Sequence, residues 1–309
     1  MEMDAILSGE RFEFDLGADG FPEQLLNIPR PPERLYVIGN PNALVAGLAV
    51  IGARKATPYG LGCAHRFARI AAEKGACIIS GGARGCDSQA HRAALEARGT
   101  TVAFLGGGCD KPYPACNIRL FQEIIDAGGA VVSEQPWDCA PLPFMFRERN
   151  RLIAGLAQAV LIVEAGLPSG TFSTADEALD AGREVLAVPG AITSQTSQGA
   201  NRLILQGATP VVDDESFEDA LFRSLGMLKR PGLEVDPVED IGSIVDAVRA
   251  QPCDMDSLFE LAVARYGPDK ARSELTRQIA VAETAGLIAR QPDGRWGPAI
   301  KGDGAKIRC

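Results

Sequence analysis

Short apolar runs recur in this chain about every 25–29 residues, near positions 48, 77, 101, 130, 159, 184 and 209. Between them lie helical patterns at roughly 59–74, 87–98, 115–127, 147–157, 171–182 and 199–206. Runs of this length that alternate with helices fit strands buried on both faces, joined by right-handed crossovers. The fold class expected is therefore α/β, a parallel sheet with helices on both faces. Ligands on such sheets bind outside the carboxyl ends of the strands, so the segments following each strand are where function should sit.

The stretch 48–91 states the plan twice. Leu48–Ile51 is a compact strand, Gly52 follows, and Thr57 then Pro58 make a good cap and first residue for the next helix. Cys77–Ser80, the glycines at 81, 82 and 85, and Asp87 as expected N-cap repeat it. A glycine turn leading into a helix presents bare N–H groups and a positive dipole end, a setting that suits phosphate. A single turn of this kind would only reverse the chain, but here several follow one another: Gly106-Gly107-Gly108, Ser133-Glu134, the loop from Glu164 to Thr171, and Pro189-Gly190. In the fifth of the helical patterns, Ser173 or Thr174 is expected to start the helix, with Asp176 or Glu177 completing a capping box. G-x-G-x-x-G and G-x-x-x-x-G-K are both absent, so ordinary NAD or ATP chemistry loses support.

Composition narrows the class further. The chain has 309 residues, a net charge of −9 and a pI near 4.9, which argues against indiscriminate coating of nucleic acid or an anionic membrane. It leaves room for a local basic site. Eight scattered cysteines without a C-x-x-C, no basic-then-apolar leader and no eighteen-residue apolar run point to reduced thiols, no membrane and a cytoplasmic location. The two histidines, His65 and His91, both fall in helical patterns, so neither a metal site nor a histidine triad is expected, and no cofactor.

Residues 1–46 read as a proline-punctuated lead-in packed on the core, with one strand at Leu35–Ile38. The main domain spans 47–225 and an acidic, proline-containing linker 226–240. Residues 241–300 carry helical patterns at Ile241–Ala250, Met255–Tyr266 and Arg272–Gly286, then a hairpin signal around Pro292-Asp293-Gly294. Three helices and a hairpin make a winged helix, and 301–309 is a tail. From Gly226 onward twelve basic residues meet thirteen acidic ones, so a protein-docking role is at least as well supported as DNA reading.

The ordered series IGARKATPYG, SGGARGCDSQAHRAAL, LGGGCDKPYP, RERNRLIAGL, SGTFSTADEAL, REVLAVPG and GANRLILQGA resembles the DNA-processing protein DprA (Smf) family over about residues 30–212. Cys86 stands where that family usually has an aliphatic residue. The resemblance implies an extended Rossmann-like domain, binding of single-stranded DNA without base preference, a homodimer, and loading of the recombinase RecA during natural transformation, with no enzymatic activity. It also implies a DNA contact for Arg54.

The residues themselves complete the candidate interface. Single-stranded DNA needs cations or N–H groups for phosphates and flat faces for bases. Gly52, Arg54, Lys55, Gly81, Arg84 and Gly85 follow the first two strands of the repeat. Phe146, Arg147, Arg149, Asn150 and Arg151 open the fourth crossover helix, with Phe144 beside them, and Ser169, Gly170 and Thr171 precede the fifth. Asn150 and Arg151 can equally brace the loop ahead of their helix, and the two phenylalanines can equally be core. The rival class is a nucleoside-monophosphate phosphoribohydrolase with a P-G-G-x-G-T-x-x-E loop, or a non-catalytic nucleotide sensor on the same scaffold. Here Thr174 stands three residues after Thr171, where that motif has its glutamate, and Glu177 comes three residues later.

Overall fold

The computed structural model describes residues 7–167, 170–227, 247–248, 253–284, 287–291 and 294–298. They fall in two compact units, Met1–Lys229 and Arg230–Cys309. In chain order the first unit comprises β1 (Arg11–Asp15), α1 (Glu23–Leu26), β2 (Arg34–Gly39), β3 (Gly47–Ile51), α2 (Pro58–Glu73), β4 (Cys77–Ser80), α3 (Cys86–Glu96) and β5 (Thr101–Phe104). It continues with α4 (Ile118–Asp126), β6 (Ala130–Ser133), α5 (Met145–Leu156), β7 (Ala157–Ile162), α6 (Thr171–Asp180), β8 (Glu184–Ala187), α7 (Gln198–Leu205), β9 (Thr209–Pro210) and α8 (Asp214–Leu225).

All seven recurrent apolar runs are strands. They form one nine-stranded sheet in the order β1-β2-β6-β5-β4-β3-β7-β8-β9. From β6 to β9 every neighbouring pair is parallel. Alternate residues of the strands build two apolar layers. Leu48, Val50, Ile78 and Leu161 pack with α2, α3 and α8, and Ala103 and Val131 on the same face pack with α4. Ala49, Ile51, Ile79, Val102, Phe104, Val160 and Ile162 pack on the other face with α1, α5, α6 and α7. Strands buried on both faces need this continuous apolar character.

The sheet departs from all-parallel at one edge. β2 runs antiparallel to β6, pairing Tyr36 with Ser133 and Ile38 with Val131, and β1 runs antiparallel to β2. The lead-in thus adds two strands to the sheet instead of merely lying on it. Leu35, Val37 and Ile38 are fully buried, so this run has the double-sided apolar character of a sheet member. β1 carries a weaker signal: its residues alternate between exposed and half-buried, with Phe12 and Phe14 stacked at 6.1 Å.

From β3 the chain works outward through β4, β5 and β6, then returns to the other side of β3 with β7, β8 and β9. The reversal puts a crevice at the carboxyl ends of β3 and β7, where open α/β sheets bind ligands.

In the second unit, helices over Met255–Tyr266 and Pro268–Thr284 precede an antiparallel pair, Ile288–Arg290 with Trp296–Pro298. Val248, Leu258, Ala262, Leu275, Ile279, Ile288 and Trp296 form its core. The expected helix over Ile241–Ala250 lies outside the described residues except for positions 247–248, which are helical.

Candidate nucleic-acid interface

The loop from β3 to α2 is pinned at both ends. Gly52 lies against Cys86, and a Cβ at Gly52 would stand 2.6 Å from the Cys86 sulfur. The Cys86 N–H also donates to the Ala53 carbonyl at 3.3 Å. At the far end the Thr57 hydroxyl caps α2, accepting from the Gly60 N–H at 3.2 Å, and Pro58 is the first helical residue. Arg54 and Lys55 lie exposed between these anchors. The Arg54 guanidinium lies 5.5 Å from the Phe146 ring centre.

The turn from β4 to α3 corrects one expectation. Asp87 is not the N-cap: Gly85 takes that position with φ +81°, a backbone region a side chain would strain. Asp87 instead buries its carboxylate under the turn, accepting from the N–H groups of Gly81 at 3.1 Å and Ala83 at 3.3 Å. Burial pushes this carboxyl above its ordinary range, and Arg149 opposes the rise. Arg84 projects into solvent from the turn so held.

The arginines of α5 do not form one cluster. Arg147 is exposed. Arg149, on the opposite side of the helix, is 5% exposed and donates Nη1 to the carbonyls of Gly81, at 2.8 Å, and Phe104. Among the described residues its Nε has no hydrogen-bond partner. Burial brings its guanidinium down to about 10, with Asp87 opposing. Arg151 lies one turn beyond Arg147 and is not brought to the crevice: it forms a two-bond ion pair with Glu134, at 2.6 and 2.9 Å, beside Tyr36. Asn150 lines the crevice while donating to the Ser173 hydroxyl at 2.9 Å, which ties α5 to α6. Phe146 is half-buried, with Tyr113 5.5 Å away, while Phe144 is 58% exposed.

The helix after β7 begins at Thr171 with Gly170 at its cap, not at Ser173 or Thr174; the Ser173 hydroxyl donates back to the Gly170 carbonyl. Ser169 lies outside the described residues. Glu177 forms an ion pair with Arg30 at 2.9 Å.

Two adjoining cavities result, sharing Arg54, Phe146 and Arg149 as a common wall. One, of about 220 Å³, is completed by Lys55, Gly81, Arg84 and Tyr113. The other, of about 410 Å³, is completed by Gly52, Asp87, Arg147, Asn150, Gly170 and Thr171. Of the expected residues, Gly85 stands behind the wall as the cap of α3, its backbone against Ala53 and Arg54. Five cations thus converge on the strand ends against one carboxylate, a local positive field on a chain of net charge −9. Sequence reasoning missed Tyr113, although it lies in the LGGGCDKPYP segment that follows β5. It also missed Glu164, which is 2% exposed and accepts from the Thr57 N–H at 2.8 Å, the Thr57 hydroxyl at 2.9 Å and the Thr196 hydroxyl at 2.6 Å. Among the described residues, no group of three or more His, Cys, Asp or Glu side chains is placed to hold a metal ion. Nor is any described helix long and apolar enough to cross a membrane.

The sequence and fold compare closely with known proteins. The family model of DNA recombination-mediator protein A matches residues 14–221. Protein Smf of Escherichia coli is 37% identical over 278 residues, covering 89% of this chain and 74% of that protein. The structure of DprA from Streptococcus pneumoniae superposes with a TM-score of 0.62 at 36% identity, covering 66% of this chain and 72% of that one. DprA of Helicobacter pylori, whose structure was described for its single-stranded DNA binding mode, gives a TM-score of 0.62 at 30% identity, over 70% of this chain and 97% of that one. The cation-lined crevice at the sheet's switch point, the matched length and these likenesses together place the chain in the DNA recombination-mediator protein A (DprA, Smf) family of DNA-processing proteins.

Proposed function

We propose that this protein binds single-stranded DNA at the two adjoining cavities and hands the covered strand to the recombinase RecA during DNA recombination and transformation. The observation that carries the reading is the convergence of Arg54, Lys55, Arg84, Arg147 and Arg149 with the Phe146–Tyr113 pair at the carboxyl edge of the sheet. The exposed cations Arg54, Lys55, Arg84 and Arg147 hold the phosphates, buried Arg149 braces the turn beneath them, and the rings offer faces to bases of any identity. Among the described residues of the first unit, no helix leads the cation-lined edge as a groove reader would, so single strands are favoured. The working form is a homodimer in the cytoplasm. Leu205 on α7 and Phe222 on α8, 84% and 50% exposed, offer apolar area that a second copy would cover. The second unit acts as a winged helix whose near-neutral charge suits docking to protein.

The test is a gel-shift comparison of single-stranded and duplex oligonucleotides of mixed sequence, followed by RecA filament assembly on strands pre-bound by this protein. Equal affinity for the two forms overturns the binding step, and unchanged filament assembly overturns the hand-over. Hydrolysis of a nucleoside monophosphate is the weaker reading. Buried Thr174 stands where that chemistry needs a carboxylate, and Glu177 is engaged by Arg30. Release of adenine from AMP would restore it.

A further inference from the structure

We infer that Glu164 is a positioning residue for Arg54, setting where that guanidinium stands over the strand ends. The inference rests on the single-stranded DNA reading and extends it to a residue far too buried to touch DNA.

Glu164 follows β7 at the crevice and is 2% exposed. Its Oε2 accepts from the Thr57 N–H and its Oε1 from the hydroxyls of Thr57 and Thr196. Every partner is a donor, so the site is built for an acceptor with lone pairs on both oxygens, as an ionised carboxylate has. The Thr57 hydroxyl also accepts from the Gly60 N–H, so it links the carboxylate to the first turn of α2. Space is reserved as well: a Cβ at Gly60 would press on the carboxylate, its carbon only 2.9 Å away. The start of α2 adds the positive end of its dipole.

The geometric consequence falls on Arg54. Its loop leaves β3, is held once where Cys86 N–H meets the Ala53 carbonyl, and is held again at Thr57 by Glu164. Arg54, Lys55 and Ala56 are the residues between those two holds. With the second hold gone, the loop keeps its origin but not its arc, and Arg54 loses its station beside Phe146. Through Thr196 the same carboxylate ties the loop after β8 to the loop bearing Arg54.

Glutamine separates this role from simple packing. Its amide matches glutamate in size, but with its oxygen toward the Thr57 N–H its NH2 faces two hydroxyls, and in the other rotamer it faces an N–H. The experiment measures single-strand affinity, salt dependence and thermal melting for the full chain, Glu164→Gln, Arg54→Ala and the double variant. Glu164→Gln should weaken binding by about tenfold and lower the log–log salt slope by about 0.7, as for one lost phosphate contact. In the Arg54→Ala background it should change affinity by less than about twofold, because the two act through one contact. The same factor in both backgrounds, or a lower melting temperature with unchanged affinity, overturns the inference. If Arg54→Ala alone leaves binding intact, the role assigned to that arginine fails and this inference with it, a result that the single-variant arm identifies by itself. Should Glu164→Gln not fold, Thr196→Val removes one of the three hydrogen bonds that set the Glu164 carboxylate and leaves the α2 cap in place. Weaker binding that vanishes in the Arg54→Ala background then supports the inference, and unchanged binding overturns it.

Discussion

Replacing Arg149 with methionine tests whether the buried guanidinium is the floor on which the interface stands. Methionine keeps most of the volume, so the perturbation is chiefly polar. It strips the carbonyls of Gly81 and Phe104 of their donor and leaves buried Asp87 without its compensating cation. An orphaned buried group costs about 1–3 kcal/mol, and removing one member of a buried charged network about 3–5 kcal/mol in all. At about 2–4 °C per kcal/mol for a unit of this size, the melting temperature should fall by roughly 6–20 °C. The pH dependence sharpens the test. Asp87 has its folded pKa raised, so its ionisation weakens the fold as pH rises through the folded value, and without Arg149 that penalty grows. His91 is pushed down to about 3 by burial and then by Arg149, so it weakens the fold as pH falls from its ordinary 6.5 toward 3, and without Arg149 that loss shrinks. Both effects make the gap between wild type and variant narrower near pH 4 than near pH 7. Urea unfolding at the two pH values measures it. A loss below about 1 kcal/mol, or a gap that does not change with pH, would refute the argument that Arg149 is a buried brace.

Arg54→Ala should do the opposite: single-strand affinity weaker by about 1.5–3 kcal/mol, a salt slope lower by about 0.7, and melting nearly unchanged because the side chain is exposed. A salt titration beside a thermal melt decides between contact and brace. His91→Phe should flatten the fall in wild-type stability between pH 6.5 and 3, an effect on the order of 4 kcal/mol for a shift of this size; an unaltered profile by urea unfolding would assign it to other groups. Removing residues 226–309 should leave a cooperative core that still retains single-stranded DNA in a gel shift, since the first unit holds all of the interface described above. Loss of binding with intact melting would move the DNA site to the second unit.

Much of this arrangement was legible in the residue pattern, because strands buried on both faces leave compact apolar runs such as Leu48–Ile51 and Val160–Val163. β1 was not, because Arg11–Asp15 shows the one-sided alternation of an edge strand, which many surface segments share. The α5 arginines show a second limit. A 3.6-residue period puts Arg149 opposite Arg147 and Arg151, but only the tertiary fold decides which side faces the strand ends. Arg151 then finds Glu134, a partner 17 residues away in the chain. Asp87 misled for a related reason. An aspartate after a glycine turn reads as a cap, yet the left-handed Gly85 had already taken that post and freed the carboxylate to hold the turn from below.

The two margins of the sheet bear on how copies of this chain behave when crowded. β9 is only Thr209–Pro210, and a proline has no N–H to offer an incoming strand. At the opposite margin, β1 carries Arg11, Glu13 and Asp15, two of them engaged by Arg34 and the third by Asp110. Neither border invites another backbone to lengthen the sheet. Molecules gathered at high local density can therefore meet through side chains while their sheets stay closed to each other, so close neighbours need not become an aggregate.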